Sequence, residues 1–220
     1  FPGAKEPAVS HVSFEAKPGE TTAVIGSTGS GKTALVGLIP RFYDVQEGEV
    51  LVDGVNVKDY DLKDLRRKIG YVPQKALLFK GTIAENIRFG DDSANDERVR
   101  EAAAIAQSTD FIEDKPDGFD SPIAQGGSNV SGGQRQRLAI ARAIVRKPEI
   151  YVFDDSFSAL DFKTDSALRQ ALAKETGAAT VVIVAQRVST IMNADRIIVM
   201  DEGKVMGMGT HRELLKTCET

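Results

Sequence analysis

Apolar residues in this chain come in short, β-branched runs separated by stretches of helical period. Thr21-Thr-Ala-Val-Ile25, Ile150-Tyr-Val-Phe-Asp154, Thr180-Val-Val-Ile-Val-Ala185 and Arg196-Ile-Ile-Val-Met200 are too short for helices, and their near-continuous apolarity is that of strands buried on both faces of a parallel sheet. Ile69-Gly-Tyr-Val-Pro73 is strand-like too. Val12, Phe14 and Ala16 alternate with polar residues, which predicts a strand of an antiparallel sheet with one solvated side, closed by the turn Lys17-Pro-Gly-Glu20. Gly48 to Gly54 reads as another short strand with a turn, and Gly203 to Gly209 as the second strand of a hairpin. Ala34, Leu35, Leu38 and Ile39 share one helical face that ends near Pro40, and Asp61 to Arg67 forms a short helix. Thr210-His-Arg-Glu213 is a capping box that opens a terminal helix.

Between Thr82 and Lys115 the period becomes helical, through Ile83, Ile87, Val99, Ala102, Ala103, Ile105 and Ala106. Asp117 to Val130 is a Gly/Ser/Pro-rich loop without a period, and a further helix starts after Ser131-Gly-Gly133, runs through Leu138, Ile140, Ala141 and Val145, and is stopped by Pro148. The expectation is an α/β fold in which residues 1–81 and 148–220 build the core, with a mainly parallel sheet and an N-terminal antiparallel β part. Residues 82–147 are expected to form an inserted helical subdomain.

The first chemical signal is Gly26-Ser27-Thr28-Gly29-Ser30-Gly31-Lys32-Thr33, a full match to the phosphate-binding pattern G-x-x-x-x-G-K-S/T. It lies between a strand and a helix start, the order that a P-loop needs. Its glycines let successive N–H groups turn toward an anion, and the helix N-terminus adds partial positive charge. Lys32 is placed to reach the β- and γ-phosphates, and the Thr33 hydroxyl to meet Mg²⁺. The alternative is a glycine-rich turn that binds nothing. Asp154 ends an apolar strand, which carries its carboxylate to the sheet edge where such folds bind ligands. Beside a P-loop, support of Mg²⁺ is a better reading of it than a helix cap.

Composition narrows the classes. The 220 residues suffice for one domain with an insertion, and a net charge of −4 gives no reason to expect nucleic acid as a partner. The single cysteine, Cys218, in polar company, cannot form an internal disulfide, which agrees with a reducing compartment. No apolar run approaches the roughly 18 residues needed to cross a bilayer, and no signal peptide is present, so the chain reads as soluble. It begins at Phe1-Pro-Gly without an initiator Met, which points to a piece of something longer.

The second signal is Asn129-Val130-Ser131-Gly132-Gly133-Gln134, two glycines and a hydroxyl at a helix start, again an arrangement suited to an anion. A glycine-rich cap alone is the plainer account. Val130 to Gln134 resembles the signature of ABC transporter ATPase domains, usually LSGGQ, with Val in place of Leu. The resemblance extends over essentially the whole chain. It implies ATP and Mg²⁺ as ligands, Phe1 as the aromatic that stacks on adenine, and Gln74 as the glutamine that approaches Mg²⁺ and the attacking water. Ser158-Ala-Leu-Asp161 is similar to the D-loop, and Val184 to Ile191 to the switch segment. Leu77 to Ile87, with Gln125-Gly-Gly-Ser128, is similar to exporters, in which the region from Gln74 to Ile87 receives transmembrane domains that this fragment lacks. The implied location is the cytoplasmic face of the inner membrane.

In that family two domains dimerise head to tail, so that Ser131, Gly132, Gly133 and Gln134 would act on the partner's ATP. Two departures fall on catalytic positions. Asp155 stands where the family has Glu, and Gln186 where it has His. A base must come within roughly 2.6–3.2 Å of the proton that it takes, and Asp is one methylene shorter. Gln186 can hydrogen-bond a phosphate oxygen but cannot carry imidazole's charge, and His11, in the first strand, and His211, in the capping box, read as structural. The expectation is a weak ATPase whose own site binds MgATP, paired with a different chain that carries Glu and His. The alternatives are neutral drift in an active homodimeric exporter ATPase and a non-hydrolysing ATP sensor. Soluble ABC proteins of DNA repair would carry coiled coils or zinc cysteines, and translation factors a second cassette and a basic linker; the sequence has none of these.

Overall fold

The computed structural model describes residues 7–218; Phe1 lies outside them. In chain order, β1 (Thr21–Gly26) leads into α1 (Lys32–Gly37), followed by the antiparallel pair β2 (Leu51–Val52) and β3 (Val55–Asn56), then α2 (Leu62–Arg67) and β4 (Ile69–Val72). Next come β5 (Gly81–Thr82), α3 (Ile83–Arg88), α4 (Asp96–Ile105), α5 (Thr109–Glu113), β6 (Pro122–Ile123) and α6 (Gly132–Ile144). The chain closes with β7 (Ile150–Asp154), α7 (Phe162–Glu175), β8 (Thr180–Val184), α8 (Val188–Ile191), β9 (Arg196–Asp201), β10 (Lys204–Gly209) and α9 (His211–Thr217).

Six strands form one sheet in the order β10-β9-β1-β8-β7-β4. All neighbours are parallel except β10, which returns antiparallel on β9. The parallel strands bury both faces, as their continuous apolarity requires. Ala23, Val181, Ile183, Ile197 and Val199 face the core shared with α3, α4 and α6, while Val24, Val182, Val184, Ile198 and Met200 face α1, α2 and the β2–β3 pair. Leu138, Ile140 and Ile144 of α6 are fully buried, each contributing about 1.5–3 kcal/mol of apolar burial. Arg98 of α4 fastens this layer to the rest, pairing with Glu175 of α7 at 2.9 Å and donating to the carbonyls of Ile144 and Val145 at the end of α6.

Four expectations need correction. Residues 12–16 form no strand, and His11, expected in that strand, lies before it in a left-handed conformation (φ 56°). Val12, Phe14 and Ala16 are partly buried on the second core while the residues between them are exposed. The alternation is real, but the segment docks by its side chains without a strand partner among the described residues. The P-loop helix is shorter than its apolar face, ending at Gly37 and tightening into i→i+3 turns at Leu38 and Ile39. The loop 117–130 contains a strand, β6, which pairs with β5. Cys218, expected in polar company, packs against the core, beside Leu214 and Gly207.

Candidate active site

Because β4, β7, β8 and β1 run parallel, their carboxyl ends lie along one sheet edge. That edge delivers Gln74 two residues past β4, Asp154 and Asp155 at the end of β7, Gln186 two residues past β8, and Gly26 at the end of β1. A cleft of about 340 Å³ opens there, lined by Gly26, Ser27, Thr28, Ala185, Gln186 and Ile191 among others, within the size range of small-molecule sites.

The glycine loop takes its shape from three left-handed or extended glycines, Gly26 (φ 146°), Gly29 (φ 85°) and Gly31 (φ 94°). A methyl at Gly26 would lie 2.0 Å from the Met200 carbonyl oxygen, and one at Gly31 2.6 Å from that of Ala8. Gly31 precedes α1 with no side-chain cap, so the first N–H groups of that helix point into the loop without a competing side-chain acceptor. The Lys32 ammonium donates to the carbonyl oxygens of Gly26 (3.0 Å) and Ser27 (2.6 Å) and to Ser30 Oγ (3.2 Å), which holds a full positive charge within the loop. Outside it, the β9–β10 turn acts as a brace: Ser27 Oγ donates to Asp201 Oδ1 at 3.0 Å, and Gly203 N to the Ser30 carbonyl at 3.2 Å.

Thr33 Oγ1 donates to Asp154 Oδ1 at 3.0 Å, and the Tyr71 hydroxyl to Asp154 Oδ2 at 3.0 Å. Burial, and then the neighbouring Asp154 carboxylate, push the Tyr71 phenol well above its ordinary range, so it remains a donor. A threonine hydroxyl and one buried carboxylate fit Mg²⁺, which takes few protein oxygens and completes its shell with water and substrate phosphates.

Asp155 has a left-handed backbone (φ 48°) that turns it out of the sheet, and its side chain is almost fully buried. Asp155, Gln186 and Gln74 meet here. Asp155 Oδ2 accepts from Gln186 Nε2 at 2.9 Å and from Gln74 Nε2 at 3.2 Å. Burial raises the Asp155 carboxyl above its ordinary value, against the opposing hydrogen bond from Gln74. The two amides thus converge on one carboxylate oxygen of Asp155.

A family model described as ABC transporter matches residues 9–158. The chain belongs to the ABC transporter family. It is 50% identical over 223 residues to an uncharacterized ABC transporter ATP-binding protein of Mycobacterium tuberculosis, covering 100% of this chain and 38% of that protein. It is 44% identical over 216 residues to an ATP-dependent lipid A-core flippase of Xanthomonas oryzae pv. oryzae, covering 98% of this chain and 37% of that protein. Its fold matches that of a bacterial Atm1-family ABC exporter with ATP bound, at a TM-score of 0.92 and 37% identity over 95% of this chain and 36% of that one. The chain therefore spans well under half the length of these relatives.

The second glycine-rich segment, Asn129 to Gln134, sits at the start of a different helix from the P-loop, α6. Ser131 and Gln134 cap α6 reciprocally: Ser131 Oγ accepts from Gln134 N at 3.2 Å, and the Gln134 side chain accepts from Ser131 N at 3.0 Å. Arg135 pins the preceding loop by donating to the carbonyls of Gly127 (3.0 Å) and Val130 (3.1 Å). Ser131 and Gly132 are exposed. Among the described residues, Ser131, Gly132, Gly133 and Gln134 make no hydrogen bond to this chain's own P-loop. In the segment Ser158 to Asp161, Ser158 Oγ donates to the Asp155 carbonyl (3.0 Å), and Arg187, next to Gln186, donates to the carbonyls of Ser158 (3.1 Å) and Leu160 (3.2 Å).

Two residues at this edge escaped the sequence reading. Asp201 carried the same signal as Asp154, a carboxylate closing an apolar strand. Tyr71 carried a fainter one, a hydroxyl in an otherwise apolar run.

Proposed function

We propose that this chain is the ATP-binding and hydrolysing domain of an exporter, placed at the cytoplasmic face of the membrane and powering transport through ATP-driven, head-to-tail pairing with a second ATPase domain. The observation that carries this is the assembled P-loop, with Lys32 in the loop and Thr33 bonded to a strand-end Asp154. Lys32 and the α1 N-terminus bind the β- and γ-phosphates. When bound, Mg²⁺ neutralises charge on the phosphate oxygens. Thr33, Asp154 and Gln74 would hold the metal, and Phe1 the adenine. Residues 1–81 and 148–220 act as the nucleotide-binding core and 82–147 as the signature lobe, with Gln74 to Ile87 meeting the transmembrane domains. Ser131, Gly132, Gly133 and Gln134 serve the ATP of the partner chain, which fits the exposure of Ser131 and Gly132.

Turnover at its own site is slow in this reading, and the partner is a different chain with Glu and His at the two positions. What supports this is the contact between the two side chains themselves: Gln186 carries no charge, and it donates to Asp155 Oδ2, taking up part of the acceptor capacity that a base would offer to water. Light scattering of the purified chain, in which a second copy stands in for the partner, tests the core of the proposal. MgATP should drive association and ADP should not, and Lys32→Ala should abolish the response. Association indifferent to nucleotide, or to Lys32→Ala, would remove ATP from the account.

A further inference from the structure

We propose that Tyr71 is a positioning residue of the metal site, fixing the plane of the Asp154 carboxylate so that one oxygen is held toward the P-loop; this rests on the reading of Thr33 and Asp154 as metal-holding residues. The sheet register puts it there. Tyr71 pairs with Val152 in the parallel β4–β7 ladder, and Asp154, two residues further on, projects from the same face, within diagonal reach of a long side chain. The torsion that turns a carboxylate is broad and roughly two-fold, so one partner at Oδ1 leaves the orientation soft. Thr33 and Tyr71 take one oxygen each, at 3.0 Å and 3.0 Å, which assigns Oδ1 to the P-loop side and Oδ2 to the strand side.

The phenol is itself held. Its ring meets the edge of Phe42 (centroids 4.9 Å apart, 78° between planes). Phe42 lies under the Arg66 guanidinium at 5.6 Å, and Arg66 is anchored on the Pro40 carbonyl at 3.1 Å. The turn after α1 and helix α2 thereby support the metal acid, although neither reaches the site. Asp154 is only 2% exposed, so water cannot readily replace the phenol at Oδ2.

The test is ATP affinity of the chain with Mg²⁺ and with EDTA, for wild type, Tyr71→Phe and Asp154→Asn. Phe keeps the ring and its packing, and affinity in EDTA reports on folding and on the P-loop. Tyr71→Phe should leave affinity in EDTA unchanged while reducing the Mg²⁺-dependent gain roughly 10- to 100-fold, as removal of outer partners of metal ligands does. The double variant should lose little beyond Asp154→Asn alone, because the phenol acts through that carboxylate. A Tyr71→Phe chain that keeps the wild-type gain overturns the inference and leaves the metal reading standing, and equal losses with and without Mg²⁺ reduce Tyr71 to packing. A wild type with no Mg²⁺-dependent gain removes the metal reading and this inference together.

Discussion

The chain has two glycine-rich helix starts, and they are built in opposite ways. The P-loop ahead of α1 has left-handed glycines, no side-chain cap, a lysine inside it and backbone pressed against Met200 and Ala8. The signature ahead of α6 has an ordinary extended N-cap, a reciprocal Ser131–Gln134 box and open space around Gly132. One leaves its N–H groups for a ligand and is braced from outside. The other satisfies itself and faces solvent. Enclosure suits an anion cradle, whereas the second helix start is satisfied by its own side chains without a ligand.

One methyl added at each loop should act in opposite ways. Gly31→Ala places Cβ 2.6 Å from the Ala8 carbonyl at φ 94° and should cost about 2–4 kcal/mol of stability, combining left-handed strain with overpacking. Gly132→Ala meets nothing closer than Arg135 at 3.9 Å and has no positive φ, so it should leave stability unchanged or raise it by about 0.4–1 kcal/mol. Denaturant titration of both variants checks this, and equal costs would erase the distinction. A smaller effect comes from Ser131→Ala, which removes the cap of α6 and should cost about 1 kcal/mol. By calorimetry its affinity for ADP, which should not drive pairing, should equal that of wild type; a weakened ADP affinity would mean that this loop serves its own chain's site.

The last difference is read by pH. The signature box has no ionisable group, whereas Asp155 is a buried carboxylate whose folded-state pKa is raised. A raised carboxyl favours the fold while protonated; that contribution is complete below the unfolded value of about 3.9 and is lost as pH rises through the folded value. Asp155→Asn, whose amide oxygen can still accept from Gln74 and Gln186, should therefore melt higher than wild type at neutral pH. The advantage should shrink to nothing as the pH falls through the ordinary aspartate range. A pH-independent difference would assign it to packing.

The sequence made most of the site legible because its parts are local signals. The glycine spacing at 26–33, the carboxylates that close β7 and the capping boxes at 131–134 and 210–213 each lie within a few residues. What it could not show depends on register and packing between distant segments. Tyr71 reaches Asp154 only because β4 lies beside β7, and the Asp201–Ser27 brace exists only because β9 flanks β1. The error at residues 12–16 has the same root: period-two burial reports which side faces the core, not whether a neighbouring backbone is there to pair.

Asp155 and Gln186, bonded to one another, are proposed to make this chain's own site slow. Steady-state MgATP turnover of the wild-type chain beside the Asp155→Glu, Gln186→His double variant tests it most directly, with ATP affinity measured on both. The account predicts similar affinities, a nearly silent wild type and a gain on the order of 10²–10⁴ in the double variant, the range contributed by a positioned acid–base group. A wild type that already turns over as fast as the double variant would contradict it, and Asp155 would then be a sufficient base in a symmetric pair.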